Sequence, residues 1–324
     1  MLYPLKFNPI FKEKVWGGNK IKSVLGQDFG KQLNCGELWA ISGVEGDQSV
    51  VNNGFLKGNE LNDLVEIYMA DLVGESVFEK FGNEFPLLIK FIDAKDALSI
   101  QVHPNDILAE KRHGSFGKNE MWYILQADKG AELISGFKSK MNKESYLAAF
   151  NQNKIKEILN FEKVSKGDVF DIPAGRVHAI GGGILLAEIQ QTSDITYRIY
   201  DWDRKDEKGI SRELHTEQAI DAIDFSEIHN YKTQYNCKQN QISSIISNEY
   251  FTTNILKFDQ SISKETLELD SFIIYICNEG KFDIKSSEGN TTVLKGETVL
   301  IPAEMNIFDL IPAENSEVLE VYIS

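Results

Sequence analysis

The chain has 324 residues, of which 42% are hydrophobic and 26% are charged, so it can bury a substantial core and differs in composition from a disordered protein. A formal net charge of −15 repels polyanions and anionic membrane surfaces, which argues against nucleic acid or a membrane as a partner. A small phosphorylated ligand is compatible with this charge, provided that Lys or Arg side chains converge at one local site.

Cysteine usage and the first residues predict a compartment. The three cysteines, Cys35, Cys237 and Cys277, are widely spaced and form no C-x-x-C pair, so we expect them to be reduced. The first residues lack the basic and apolar regions of a signal peptide, and no later stretch is apolar enough for a membrane span. A cytoplasmic protein is therefore expected. No sequence feature indicates an oligomeric state.

Helical spacing of apolar residues is the first regular pattern along the chain. Apolar residues recur three and four positions apart in residues 61–72, and again in residues 144–159. A shorter helix is predicted after Thr216, which we expect to be its N-cap. These segments are typical of helical insertions on a β core.

Most other apolar segments alternate with the two-residue period of half-buried strands. The alternation is clearest at residues 98–103, where Ser99, Gln101 and His103 share one face of the predicted strand. Strands are predicted at residues 86–91, 98–103, 121–125, 169–172, 184–191, 195–200, 271–277 and 298–301. The fold is therefore predicted to be mainly β.

A polar stretch at residues 229–244 predicts a domain boundary, which we place between a domain of residues 1–235 and a domain of residues 236–324. An internal repeat supports two related halves. The segment 167–173, which runs from a glycine to a proline, recurs as the segment 296–302 with the same five-residue gap. The two domains are therefore predicted to be related barrels.

The second half of this repeat lacks the polar residues of the first. Ile307 stands where the first copy has His178, five residues past the proline. If Tyr275-Ile276 of the second copy is matched with Tyr123-Ile124 of the first, Phe272 takes the place of Glu120. The C-terminal barrel is therefore predicted to bind no metal.

Four residues of the N-terminal half are candidate metal ligands. Gln101 and His103 point to one side of a strand, and Glu120 begins an apolar strand in which an unpaired carboxylate is costly to bury. His178 follows a turn built on Gly175. Each residue taken alone also fits a structural histidine or a solvent-facing edge carboxylate.

Together these residues resemble the two-part pattern of the cupin superfamily. The second part, G-(X)5-P-x-G-(X)2-H, spans Gly167 to His178, although Gly182 stands where most members close the pattern with Asn. In the first part, Gln101 occupies the place of the usual first histidine. The resemblance implies two jelly-roll β-barrels with helical insertions in the N-terminal, catalytic part.

A closer resemblance is to the type I mannose-6-phosphate isomerases, in their short bacterial form, over residues 2–225. The shared landmarks are Val15-Trp-Gly-Gly18, Gly36-Glu-Leu-Trp39, Phe85-Pro-Leu-Leu-Ile-Lys90, Leu98-Ser-Ile-Gln-Val-His-Pro104, Lys118-Asn-Glu-Met-Trp122, Pro173-Ala-Gly-Arg-Val-His178 and Ala187-Glu-Ile-Gln-Gln-Thr-Ser-Asp-Ile-Thr-Tyr-Arg198. The chain departs from longer members at Asn119, where they carry Pro.

This resemblance implies an enzyme that interconverts mannose 6-phosphate and fructose 6-phosphate. It also implies one zinc ion per chain, held by Gln101, His103, Glu120 and His178. Mixed nitrogen and oxygen ligation would accept manganese, iron or cobalt as well.

The resemblance also places Lys118, Glu188 and Arg198 in the active site. By residue chemistry, Arg198 is an electrostatic clamp on an enediolate or a phosphate, because a guanidinium rarely accepts a proton. Glu188 is a candidate base, Lys118 a candidate for proton transfer or phosphate binding, and Ser99 a candidate phosphate contact. A structural salt bridge between Glu188 and Arg198, and a solvated Lys118, are the competing interpretations.

Other residues and functions complete the hypotheses. Trp39 and Trp122 are predicted to line a core or cavity, and His113, His215 and His229 receive no role. The alternative functions are a related sugar or sugar-phosphate isomerase, a non-catalytic sugar-binding cupin, and a cupin dioxygenase. The glutamine at the first ligand position argues against the dioxygenase.

Overall fold

The period-two patterning produces strands along most of the chain in the computed structural model, which describes residues 1–205, 208–226 and 230–323. The first twelve strands are β1 (Ile10–Lys12), β2 (Glu37–Ile41), β3 (Leu87–Ala94), β4 (Ile100–Val102), β5 (Glu120–Ala127), β6 (Glu132–Phe137), β7 (Leu159–Lys163), β8 (Val169–Ile172), β9 (His178–Ala179), β10 (Ile184–Gln191), β11 (Tyr197–Tyr200) and β12 (Lys232–Thr233). They form a seven-stranded sheet, β1-β2-β3-β10-β5-β8-β12, and a five-stranded sheet, β11-β4-β9-β6-β7, which we call the first sandwich.

The remaining strands form a second sandwich. They are β13 (Gln241–Ser247), β14 (Thr252–Phe258), β15 (Ile262–Glu265), β16 (Ile273–Glu279), β17 (Lys281–Ser286), β18 (Gly289–Leu294), β19 (Thr298–Ile301), β20 (Ile307–Pro312) and β21 (Ser316–Tyr322). One sheet has the order β13-β14-β21-β16-β19 and the other β15-β20-β17-β18. The prediction of a mainly β protein with two jelly-roll barrels is confirmed.

The helices of the described chain all come before the second sandwich. They are α1 (Lys20–Ser23), α2 (Leu61–Val73), α3 (Glu75–Phe81), α4 (Asp106–His113), α5 (Lys143–Asn151), α6 (Ile155–Ile158) and α7 (Thr216–Ala222). The helical insertions are therefore confirmed for the N-terminal part. No helix in the described ranges combines the length and apolar character needed to cross a bilayer.

Two local predictions about helices were wrong. Thr216 is the first residue of α7, and His215 occupies the N-cap position. The helical pattern at residues 144–159 is interrupted, because Asn153 has a positive φ of 57° between α5 and α6, and the chain then enters β7. Residues in this left-handed region end a helix, and Asn tolerates it better than most residues.

The two large sheets pack against each other through one apolar cluster. The ring centroids of Phe85 and Phe272 lie 4.7 Å apart, and the Tyr123 hydroxyl donates a hydrogen bond of 2.7 Å to Glu317. Strand β10 is buried along all eight residues, since it has this cluster on one face and the interior of the first sandwich on the other. The large sheet of the first sandwich thus buries its outer face against the second sandwich, and its inner face is free to line a cavity.

The predicted match between the repeats is wrong by one residue at Glu120. Glu120 lies opposite Ile172, the residue before the proline of the first copy. The corresponding residue of the second copy, Ile301, lies opposite Ile273. Ile273 is therefore the counterpart of Glu120, whereas Phe272 faces the interface between the sandwiches. A one-residue slip moves every side chain to the other face of a strand.

The predicted counterpart of His178 is also wrong by one residue. The His178 ring meets Trp122 edge to face at 5.3 Å, and the Phe308 ring meets Tyr275 in the same way at 6.2 Å. Ile307 is 66% exposed and points away from this interior. Both corrected counterparts are apolar, so the second sandwich still has no carboxylate or imidazole at these two ligand positions.

The proposed domain boundary falls between the sandwiches. Strand β12 completes the first large sheet by pairing with β8, and the second sandwich begins with β13 at Gln241. The division at residues 235 and 236 stays a prediction. His229, at the start of the polar stretch, lies outside the described residues.

Candidate active site

Strands of the small sheet bring two predicted ligands side by side. Gln101 on β4 lies opposite His178 on β9, and Gln101 Nε2 is 3.2 Å from His178 Nε2. Rotating the amide by 180° presents Oε1 to the same point, a choice that the hydrogen-bond network has to decide. Residues directly opposite each other on antiparallel strands share a face, so both side chains point into the first sandwich.

Backbone carbonyls orient both histidines. His103 Nδ1 lies 2.9 Å from the carbonyl oxygen of Ile195, and His178 Nδ1 lies 2.8 Å from that of Arg176. A neutral imidazole that donates from Nδ1 keeps its lone pair on Nε2. Both Nε2 atoms therefore present lone pairs to the interior, which is the arrangement of metal-binding histidines and their supporting groups.

Glu120 on β5 faces the two histidines from the large sheet. Its Oε2 lies 3.5 Å from His103 Nε2, and its Oε1 lies 3.5 Å from His178 Nε2. Lys118 Nζ forms an ion pair with Oε2 at 3.0 Å. Neither oxygen accepts a hydrogen bond of normal geometry from the described residues, although both are buried. A buried carboxylate without hydrogen bonds is costly unless a cation completes its shell.

Burial disfavours charge on all three of these groups. It lowers the pKa of His178 to about 3 and places the pKa of His103 well below its ordinary value. Burial, followed by the nearby carboxylate of Glu188, raises the pKa of Glu120 to about 7. The histidines are therefore neutral at physiological pH, as metal ligation requires.

The cluster fits a single divalent ion. The ligand atoms of His103, Glu120 and His178 all lie within 4.8 Å of one another, and each residue is 1% exposed. Gln101 adds a fourth donor beside His178. Two neutral imidazoles, one carboxylate and one amide form a donor set that transition metals accept. The residues present could therefore hold a metal ion.

A cavity of about 380 Å³ lies beside this cluster, with Gln101 and Lys118 in its wall. Its lining is Lys12, Lys14, Trp16, Glu37, Trp39, Asp47, Lys90, Ile92, Leu98, Ser99, Gln101, Lys118, Ile180, Glu188, Asp194, Thr196, Arg198 and Arg212. Six of these side chains are cationic and four are acidic. An acidic protein of net charge −15 thus places an excess of positive charge here, which suits an anionic ligand.

Arg198 and Ser99 lie on the wall formed by the small sheet. Arg198 on β11 is directly opposite Gln101, and Ser99 lies two residues before Gln101, so the three share a face. One amino group of Arg198 donates to the carbonyl of Glu213 at 2.8 Å, and its buried Nε–H has no partner in the described chain. Arg198 therefore has hydrogen-bonding capacity left for a ligand.

Glu188 lies on the opposite wall and is not paired with Arg198. Glu188 on β10 accepts a hydrogen bond of 3.1 Å from Lys90 and one of 2.9 Å from Trp122. Burial alone would raise the pKa of Glu188, but Lys90 and Lys118 outweigh it and lower the pKa. The predicted alternative of a salt bridge between Glu188 and Arg198 is absent from the described residues.

Lys118 is buried beside the cluster rather than solvated. Its Nζ lies 3.3 Å from His103 Nε2 in addition to its ion pair with Glu120. Burial alone would lower the pKa of Lys118, but the carboxylates of Glu120 and Glu188 raise it above its ordinary value. Lys118 is therefore an ammonium group at neutral pH.

The sequence interpretation missed several lining cations. Lys90 donates to Glu188 and Gln190 from a strand whose eight residues are all buried, so a lysine inside an apolar run was the available signal. Lys12, Lys14 and Arg212 also line the cavity, and they come from segments without useful periodicity. Only the folded chain brings them together.

The remaining predicted residues have structural surroundings. Trp39 lines the cavity and Trp122 is fully buried, as predicted for core or cavity wall. His113 Nε2 lies 2.9 Å from the Tyr197 hydroxyl, and His215 Nδ1 accepts a hydrogen bond from the backbone of Arg198. Both histidines thus support strand β11 from outside the cavity.

The fold and the site define a class, the two-barrel cupins with one buried His, Glu and His cluster under a cation-rich cavity. A sequence model of the family "Phosphomannose isomerase type I, catalytic domain" matches residues 4–139. A mannose-6-phosphate isomerase of Bacillus subtilis is 38% identical over 95% of both chains, and one of Streptococcus mutans is 34% identical over 93% of both.

Structural comparison agrees with these sequence matches. The crystal structure of the mannose 6-phosphate isomerase from Bacillus subtilis matches with a TM-score of 0.88, 31% identity and 99% coverage of both chains. The chain therefore belongs to the type I phosphomannose isomerase family, and the prediction of an isomerase enzyme is confirmed.

Proposed function

We propose that this enzyme interconverts mannose 6-phosphate and fructose 6-phosphate, with one zinc ion held by Gln101, His103, Glu120 and His178. The observation that carries the proposal is the convergence of four uncharged or acidic donors at the base of a cavity with excess positive charge. Such a cavity combines a metal site for the sugar oxygens with cations for the phosphate. The names of the relatives supply mannose 6-phosphate as the substrate, and fructose 6-phosphate is its ketose isomer.

When bound, a divalent ion would supply positive charge that stabilises the sugar oxygens as they change between carbonyl and hydroxyl. Zinc is supported by the two imidazoles and the carboxylate, which are its common ligands, although manganese, iron and cobalt accept the same donors. Metal binding also explains why both oxygens of Glu120 are buried without a normal hydrogen bond.

Proton transfer falls to residues on the wall of the large sheet. In the aldose-to-ketose direction, the carboxylate of Glu188 takes the proton from C2 and returns it to C1. Lys118, an ammonium group, gives a proton to O1 and recovers one from O2. The intermediate is an enediol or enediolate whose charge lies on these oxygens. Lys90 and Trp122 hold Glu188 ionised and in place.

Substrate binding falls to the wall of the small sheet. Arg198 offers an Nε–H that has no partner among the described residues, whereas Arg212 already makes two hydrogen bonds to Asp201. A guanidinium binds phosphate oxygens through parallel hydrogen bonds and also stabilises an enediolate. Ser99, on the same face, adds a hydroxyl donor.

Purified protein tests the proposal in two measurements. Metal analysis without added ions should give one ion per chain, and removal by a chelator should abolish turnover that zinc restores. A coupled assay should then show interconversion of mannose 6-phosphate and fructose 6-phosphate in preference to glucose 6-phosphate or unphosphorylated mannose. Absence of interconversion by the zinc-loaded protein, or iron content with oxygen consumption, rejects the proposal.

A further inference from the structure

The second sandwich repeats one buried carboxylate of the catalytic sandwich at the corresponding position. The strand order β3-β10-β5-β8 of the first large sheet corresponds to β14-β21-β16-β19 of the second. Glu188 lies opposite Trp122 across β10 and β5, and Glu320 lies opposite Tyr275 across β21 and β16. In each pair the aromatic side chain donates a hydrogen bond to the carboxylate. Glu320 is therefore the counterpart of Glu188.

Glu320 is the centre of a buried polar cluster. It accepts hydrogen bonds from Lys264 at 2.6 Å, Tyr275 at 2.7 Å and Asn254 at 3.2 Å. Glu320 is 2% exposed and Lys264 is 9% exposed. Burying such a pair is costly, and apolar residues of similar volume often stabilise a core equally well. The core of the second sandwich thus gains no obvious stability from this pair.

Lys264 reaches the cluster from the opposite sheet, at the position that Gln101 occupies in the first sandwich. Gln101 on β4 is opposite the ring of His178, and Lys264 on β15 is opposite the ring of Phe308. Both of these rings meet an aromatic residue of the large sheet edge to face. In each sandwich, the small sheet therefore brings a polar side chain toward the large sheet at this position.

The cluster lies in a second cavity, of about 560 Å³. Its lining is Ile242, Asn254, Lys264, Glu265, Thr266, Leu267, Glu268, Leu269, Ile273, Glu320 and Tyr322. The small sheet of this sandwich ends at β15, with no described strand in the place that β11 takes beside β4. The wall that carries Arg198 in the first sandwich is therefore missing, and the cavity is open on that side.

We propose that this second cavity is a binding site for a neutral polyhydroxylated molecule, such as a hexitol or an unphosphorylated hexose. Three acidic side chains and one cation line it, the reverse of the catalytic cavity, so a phosphate is repelled. The counterparts of the metal ligands Glu120 and His178 are Ile273 and Phe308, which bind no ion. The site goes beyond the proposed isomerase function and does not depend on it.

Donors and acceptors in the cavity match vicinal hydroxyl groups. The ammonium of Lys264 has three N–H donors, and in the described chain it uses one, on Glu320. The Glu320 carboxylate and the Asn254 amide offer acceptors beside it, while Ile273, Leu267 and Tyr322 provide an apolar wall for the carbon skeleton. A concave site that combines converging polar groups with an apolar wall is typical of small-ligand sites.

Ligand-observed NMR titration with mannitol tests the proposal. Saturable binding is expected, and it should persist when mannose 6-phosphate fills the catalytic cavity. Lys264→Met should weaken binding by about tenfold or more, because it removes charged hydrogen bonds. Isomerase turnover should stay at the level of the unmodified enzyme.

A second variant keeps the test decisive if Lys264→Met does not fold. Leu267→Trp fills the cavity from its exposed rim and should also block mannitol, whereas Leu294→Trp, on an exposed part of β18 outside the lining, should not. No saturable binding, displacement of mannitol by mannose 6-phosphate, tighter binding of inorganic phosphate at this cavity, or equal binding by the Leu267 and Leu294 variants would overturn the proposal.

Discussion

The two sandwiches share a strand order and a buried glutamate, but they differ in what surrounds that glutamate. In the first, Glu188 lies beside a His, Glu and His cluster and under six cationic side chains. In the second, Glu320 lies between Ile273, Phe308 and an acidic rim. Strand pairing thus preserves a position, whereas the facing sheet and the connecting loops decide its chemistry.

The comparison also separates catalytic effects from structural ones. Three active-site residues have counterparts in the second sandwich, namely His178 with Phe308, Glu188 with Glu320, and Lys90 with Asn254, which lies opposite Glu320 as Lys90 lies opposite Glu188. A substitution at the counterpart disturbs a core in the same way without touching the proposed chemistry. Three of the four predictions below use these pairs, and they run from the largest expected effect on turnover to the smallest.

The largest effect is expected for His178→Ala. Loss of one imidazole should empty the metal site and remove several kcal/mol of transition-state stabilisation, a loss of about a thousandfold or more in kcat. Elemental analysis and the coupled isomerase assay measure both results. The matched change Phe308→Ala removes a ring at the corresponding position and should leave metal content and turnover intact. Equal losses in both variants would assign His178 a structural role only.

The next effect is expected for Glu188→Gln. An amide of the same shape cannot accept the proton from C2, so kcat should fall about 10²-fold to 10⁴-fold with bound metal retained. Glu320→Gln is the matched control and should keep full turnover. Retained exchange of the C2 proton with solvent in the Glu188 variant, measured by NMR, would contradict the assignment of the base.

Arg198→Ala should lower kcat/KM by about 10²-fold to 10³-fold, because a fixed cation beside developing charge is lost. A fall in kcat indicates a clamp on the enediolate, and a rise in KM indicates a phosphate contact. Arg198→Lys should recover part of the loss, since the charge returns without the planar fork. Arg112→Ala, at an exposed ion pair with Asp221, is the control. Full turnover of Arg198→Ala would contradict both roles.

The smallest effect is expected for Lys90→Met, and it depends on pH. Lys90 is the strongest influence that lowers the pKa of Glu188 below 4.5, against the effect of burial. Without it the pKa of Glu188 rises, so the carboxylate is protonated at higher pH and the acid limb of the kcat/KM profile moves upward. Turnover should therefore fall most below neutral pH.

The same shift has a consequence for stability. A carboxylate whose pKa is lowered by folding stabilises the native state above its unfolded pKa, and this contribution is lost as the pH falls through the folded pKa. The Lys90 variant should lose this contribution at neutral pH, which denaturant titration measures. Asn254→Leu removes the counterpart of Lys90, and an equal change in its pH–rate profile would contradict the assignment.

Local patterns predicted much of the fold. Strands β8, β10 and β19 have the predicted bounds, because a Gly residue precedes each of them and a Pro residue directly follows β8 and β19. The i, i+2 spacing of Gln101 and His103 placed both on one face, as the structure has them. The helix predicted at 144–159 is divided into α5 and α6, because periodicity does not reveal a left-handed residue such as Asn153.

The sequence did not predict the register between strands that are distant along the chain. Matching similar dipeptides placed Phe272 against Glu120, whereas hydrogen-bonded pairing places Ile273 there. The competing interpretation paired Glu188 with Arg198, ten residues away, whereas its partner in the structure is Lys90, 98 residues away. Such pairs form at long sequence separation, so no local pattern encodes them.

The sequence by itself determined the β class and the face of each ligand-bearing strand. Short-range geometry decides these features, because side-chain direction follows directly from position along a strand. Tertiary structure alone decided which cations meet Glu188, which residue of the second barrel replaces each ligand, and that Lys264 and Glu320 share a cavity. Those contacts depend on how two sheets stack, and stacking is a property of the whole chain.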